Sequence, residues 1–114
     1  MLTIDGLRSF GADTKAGLNL CRNNEEKYIL YITKLLQDDN FDRLASAVAA
    51  DDKKAAFEAA HALKGVTGNL SLTPLFDIAS AMTELLRTEQ EADYSALLGQ
   101  LLRKRDELIA LQNN

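Results

Sequence analysis

From Asn24 onward the apolar residues of this chain recur every three or four positions, and no stretch alternates every second position. That spacing is the period of an amphipathic α-helix, and the missing alternation leaves no half-buried strand. Tyr28, Tyr31, Ile32, Leu35 and Leu36 form a first stripe, and Phe41, Leu44, Ala45, Val48 and Ala49 a second. Ala56, Ala60, Leu63, Thr67 and Leu70 form a third; Leu75, Ile78, Ala79, Met82, Leu85 and Leu86 a fourth. Tyr94, Leu97, Leu98, Leu101, Leu102, Leu108 and Ile109 complete the set. Between the first two stripes, Gln37-Asp38-Asp39-Asn40 fits either a break between two helices or a bend in one. Either way, four amphipathic legs with short connections predict an all-α fold, an antiparallel four-helix bundle.

Capping signals place the boundaries. Asn24 can N-cap a helix that opens on Glu25 and Glu26, whose charges suit a helix N-terminus. Asp51-Asp52 caps the next long helix, expected to run from near Lys53 to near Ser71. Thr73-Pro74 reads as a start, with a capping hydroxyl and then proline at the first helical position. Thr88 to Asp93 is a polar turn. Gly6, Gly11 and Gly17 break residues 1–23 into pieces, with one or two short helices expected over Thr3–Phe10 and Thr14–Cys21. The expected organisation is one domain over 1–114, in which residues 1–23 pack against one end of a bundle formed by residues 24–114. One proline, no tryptophan and 46% hydrophobic residues agree with a helical chain large enough for one core.

Charge and cysteine usage narrow the function classes. The net charge is −4, and the one basic cluster, Arg103-Lys104-Arg105, interrupts an apolar helix pattern and is expected to solvate its outer face. A nucleic-acid surface would need a basic stripe, so no nucleic-acid partner is expected. No apolar run reaches the ~20 residues of a membrane span, and the first residues, Met1-Leu-Thr-Ile-Asp-Gly, lack the basic and apolar regions of a signal peptide. Cys21 is the only cysteine, which rules out an intrachain disulfide and fits a reducing compartment. A cytoplasmic protein with no membrane partner is expected. One histidine and one cysteine, far apart in the chain, give no metal-ligand cluster, so neither a metal nor a cofactor is expected on this chain.

The only histidine opens the run His61-Ala62-Leu63-Lys64-Gly65-Val66-Thr67-Gly68-Asn69-Leu70. On a helix, His61, Lys64, Gly65 and Gly68 share one face, opposite the apolar stripe and together with Lys54 and Glu58. Imidazole is the side chain that titrates near neutrality, so an exposed one offers a nucleophilic nitrogen at physiological pH. A phosphoryl group carried there needs in-line positioning and neutralisation of its oxygens, which a lysine one turn on can supply. Two glycines inside a helix cost about 2 kcal/mol against alanine. Clearing space for a partner's active site would justify that cost, whereas a C-cap would end the helix. The apolar register through Thr67 and Leu70 favours the continuous helix. On these residues alone a surface or core histidine remains an open reading.

The run from Ala60 to Gly65, with small residues following and then Asn69-Leu70, resembles the signature of histidine-containing phosphotransfer (HPt) domains. Ala12-Asp13, Gly17-Leu18 and Glu25-Glu26-Lys27-Tyr28 resemble the family's N-terminal pattern, and Leu44, Ala50-Asp51 and Ala59-Ala60 its approach to the histidine. The resemblance implies that His61 accepts a phosphoryl group from a receiver-domain aspartate, or a kinase, and passes it to another receiver. It implies that Lys64 assists, with Gly65 beside it and Gly68 at a position kept small. Ala62, Gly65, Gly68, Lys54 and Glu58 would form the docking face. The implied partners are response-regulator receivers and a hybrid sensor histidine kinase, with Mg²⁺ held only by the receiver. A monomer is expected. Two positions depart from the family: Ser71 stands where glycine is frequent, and Asn23-Asn24 where a glycine turn is frequent.

A sensor kinase's dimerisation helix also carries a phosphorylated histidine, but there an acidic residue follows it. Here Ala62 follows, and the chain has no glycine-rich ATP-binding segment. A phosphocarrier without autokinase activity is expected. The alternative from another class is a helical adaptor, or a degenerate phosphotransfer domain, that docks a partner without phosphorylation.

Overall fold

The computed structural model describes residues 1–114 and is all-helical. Its elements are α1 (Ile4–Phe10), α2 (Thr14–Leu20), α3 (Glu25–Leu35), α4 (Asn40–Ala49), α5 (Lys53–Asn69), α6 (Thr73–Arg87) and α7 (Tyr94–Gln112). Asn24, Asp52 and Asp93 cap α3, α5 and α7, each side-chain oxygen accepting from the backbone N–H three residues on. No helix is long and apolar enough to cross a membrane.

The acidic run after Leu36 separates α3 from α4, so the first leg is two helices in series rather than one bent helix. Asp38 accepts from the backbone N–H of Asn40 and starts the second of them. The leg runs antiparallel to α5. Tyr28 meets Leu70 at one end, Tyr31 and Asp38 face Val66 and Asn69, and Ala50 lies by Asp52 and Ala55 at the other. α5 packs most extensively against α6 and α4, and α7 closes the ring on both α6 and α4. Small side chains on facing helices, Ala47 of α4, Ala56, Ala59 and Ala60 of α5 and Ala79 of α6, are all buried. Phe41, Leu44, Leu63, Leu75, Met82, Leu101 and Leu108 fill the space they leave. The buried hydroxyls of Thr67 and Thr83 donate back to the carbonyls of Leu63 and Ala79, so neither is left unpaired.

Some residues sit differently from the expected stripes. Ala47, not Ala45 or Ala49, is the buried alanine of α4. Thr73 does not cap α6: Leu72 is the cap, Thr73 and Pro74 occupy the first turn, and no side chain makes a cap bond. The cause is burial, because the Leu72 side chain is locked into the core and its carbonyl accepts from Leu75 and Phe76. Of the expected α7 stripe only Leu101 and Leu108 are fully buried. Arg105 is not on the outer face either. It is half-buried, with its guanidinium 5.3 Å from the Phe41 ring centroid, while Arg103 is exposed.

α1 and α2 cover one end of the bundle. Leu2, Leu7, Ala12 and Cys21 join the core, α1 lies on α7, and the Asp13 N–H donates to the Ser71 carbonyl at 2.9 Å. Gly17 faces the Tyr28 ring so closely that a Cβ there would stand 2.4 Å from it. The ring cannot retreat, because its hydroxyl donates to the Leu70 carbonyl at 2.7 Å.

Candidate functional site

His61 lies mid-way along α5, between Ala60 and Leu63, both fully buried. With those neighbours facing inward, the helical register turns His61 to solvent, and it is exposed. Its ring rests against Phe57, one turn earlier, with centroids 5.4 Å apart and planes tilted by 35°. The same Phe57 ring carries the Arg87 guanidinium of α6, 5.1 Å from its centroid. Arg87 Nε lies 3.5 Å from Glu84 Oε2, and Glu84 Oε1 lies 3.4 Å from Lys64 Nζ, one turn beyond His61. A circuit of side chains thus leaves α5 at Phe57, crosses to α6, and returns at Lys64.

Phe57, Glu84 and Arg87 were not among the sequence candidates. Phe57 was within reach, because a residue four before His61 must share its face. Nothing in the sequence tied Glu84 or Arg87 to His61, since that depends on how α6 is set against α5.

α5 runs unbroken through Gly65 and Gly68 to Asn69, so neither glycine ends the helix. A Cβ at Gly65 would meet nothing within 4 Å, and the surface beside His61 and Lys64 is open there. Gly68 differs from the expectation of cleared space. A Cβ there would stand 3.1 Å from the Phe76 ring, so the missing side chain lets α6 pack close. Glu58 and Lys54 are exposed. Glu58 and Ala62 line an open groove with Asp42, Arg43 and Ser46 of α4. The exposed face of α5 therefore has a groove on its α4 side and the charged circuit on its α6 side. No three His, Cys, Asp or Glu side chains gather as a potential metal site, and Cys21 is buried.

The model of the Hpt domain family matches residues 35–114. The chain belongs to the Hpt domain family. The matched segment holds the whole ring of α4 to α7, His61 included, while α1, α2 and most of α3 precede it. No curated protein and no solved structure matches the chain. Hpt domains act in phosphotransfer within two-component signalling, where they are phosphocarriers rather than enzymes and interact with receiver domains and kinases.

The two departures from the family pattern become intelligible in this Hpt chain. Ser71 has φ of 55°, and Arg22 and Asn23 have φ of 55° and 61°. All three are left-handed, the conformation in which glycine is free of strain, whereas Asn24, the second residue of the Asn23-Asn24 departure, is extended at φ −86° and caps α3.

Proposed function

We propose that this protein is a phosphorelay carrier whose phosphoacceptor is His61. The observation that carries the reading is an exposed imidazole on a continuous helix, with open surface at Gly65 and a lysine one turn away, in an Hpt domain. In the transfer, a lone pair on an imidazole nitrogen attacks the phosphorus of a receiver's aspartyl phosphate. The N–P bond forms as the P–O bond breaks, and the carboxylate leaves with the electron pair. The onward step to a second receiver is the reverse reaction with a new carboxylate. Lys64 neutralises charge on the phosphoryl oxygens, and Gly65 lets the receiver's acidic pocket close over the ring. Ala62, Glu58 and Lys54 belong to the docking face, and Mg²⁺ is carried by the receiver.

A monomer acting in the cytoplasm, without ATP-dependent autophosphorylation, fits this role. Incubation with ATP alone is expected to leave the protein unlabelled. The deciding experiment transfers labelled phosphoryl from phosphorylated receivers to the wild type and to His61→Gln. An acid-labile, base-stable label on the wild type only is expected. Folded protein that takes no label from a panel of receivers would favour the adaptor reading.

A further inference from the structure

Lys64 and Arg87 are the two cations of the circuit, one a turn beyond His61 along α5 and the other stacked on the Phe57 ring that His61 rests against. Both are already paired, and with the same carboxylate. Glu84 reaches Lys64 through Oε1 and Arg87 through Oε2. The two contacts, at 3.4 and 3.5 Å, are long and partly exposed. Ion pairs of this kind are weak and exchange readily.

A phosphoryl group on His61 would add about two negative charges and three strong acceptor oxygens at this spot. It would compete with Glu84 for the same two cations. Whatever it gains from them is reduced by the pairs it breaks and by repulsion from the carboxylate left behind. We propose that Glu84 is the resident counter-ion of Lys64 and Arg87 and, acting through them as a positioning residue, keeps the phosphoryl group on His61 readily transferable. The proposal rests on His61 being the phosphoacceptor. It adds that the charge balance on α6 sets how tightly His61 holds its load.

Exchange with phosphoimidazole tests this without any partner protein. The N–P bond of the donor breaks, an N–P bond to His61 forms, and imidazole leaves with the electron pair, so the same bond type stands on both sides. ³¹P NMR at fixed phosphoimidazole and imidazole concentrations then reads the equilibrium directly. Glu84→Gln is expected to shift it about three-fold toward the phosphoprotein, as expected for removing one screened charge at the site. Glu84→Asp should return it close to wild type, and 1 M salt should shrink the difference. A merely structural role for Glu84 would move the melting temperature and leave this equilibrium alone. Equal equilibria for wild type and Glu84→Gln would overturn the proposal while leaving the phosphoacceptor reading intact. A wild type that takes no phosphoryl group, or a His61→Gln variant that takes as much, would overturn both.

Discussion

Gly65 and Gly68 stand on one face of α5, yet a methyl group added at each meets different surroundings. At Gly65 it meets open space, so Gly65→Ala should collect the full helix-propensity gain of about 1 kcal/mol. At Gly68 the same gain is offset by the Phe76 ring 3.1 Å away, and Gly68→Ala should gain clearly less. Urea midpoints of the two variants check this, and equal gains would show that Phe76 yields without cost. Lys64 acts as a partly exposed point charge held by Glu84. Lys64→Ala should therefore slow phosphoryl transfer about ten-fold, below the 10²–10³ typical of a buried oxyanion donor, and leave the nucleophile working. An unchanged transfer rate would reduce Lys64 to a surface residue.

Three of the helices, α4, α5 and α6, end by a common device built without glycine. After α5, Ser71 is left-handed, its N–H donates to the Gly68 carbonyl, and the Leu72 N–H donates to Thr67. After α4 and α6, Asp51 and Glu89 take the same part, with the following N–H groups reaching back to Ala47 and Leu85. This is the Schellman termination, normally built on glycine. Ser71→Gly should relieve the left-handed strain and stabilise the fold by about 0.5–1 kcal/mol net of the added chain entropy. The denaturation midpoint will show it. At the same junction, burial raises the Tyr28 hydroxyl pKa to about 12, with Cys21 and Asp13 adding to the shift. Because the folded value lies above the unfolded one near 10, this tyrosine's contribution to stability is complete below pH 10 and is lost as pH rises toward 12. Tyr28→Phe should be less stable by about 1 kcal/mol at neutral pH, through the hydrogen bond lost to Leu70. It should also lose less stability than wild type between pH 10 and 12. Parallel pH profiles for the two proteins would rule out that linkage.

Across the molecule, one cluster of 23 buried apolar residues runs from Leu2 to Leu108 and joins α1 and α2 to the bundle. We therefore expect residues 1–114 to unfold in a single transition, with helical circular dichroism and tyrosine fluorescence coinciding. An earlier loss of the fluorescence signal, in which Tyr28 reports the junction with α2, would mark residues 1–23 as a separate unit. The all-α class, the capped starts at Asn24 and Asp52 and the outward register of His61 were legible in the sequence, whereas the break between α3 and α4 stayed open there and Asp93, the cap of α7, read only as part of a turn. A 3.6-residue period and a side-chain cap are local facts of the chain, set by the backbone's own geometry and hydrogen bonding. The start of α6 was misread because burial of Leu72 outweighed the local Thr73-Pro74 signal. The sequence by itself also determined that His61, Lys64 and Gly65 share a face. Only the tertiary structure decided that Phe76 fills the space at Gly68, and that Glu84 and Arg87 of α6 reach the Lys64 and Phe57 side chains on either side of His61. The physical reason is that those pairings depend on the axial and rotational offset between two helices. That offset is fixed by how Ala59, Ala60, Leu63, Ala79 and Met82 interdigitate in the core, not by any residue's position in the chain.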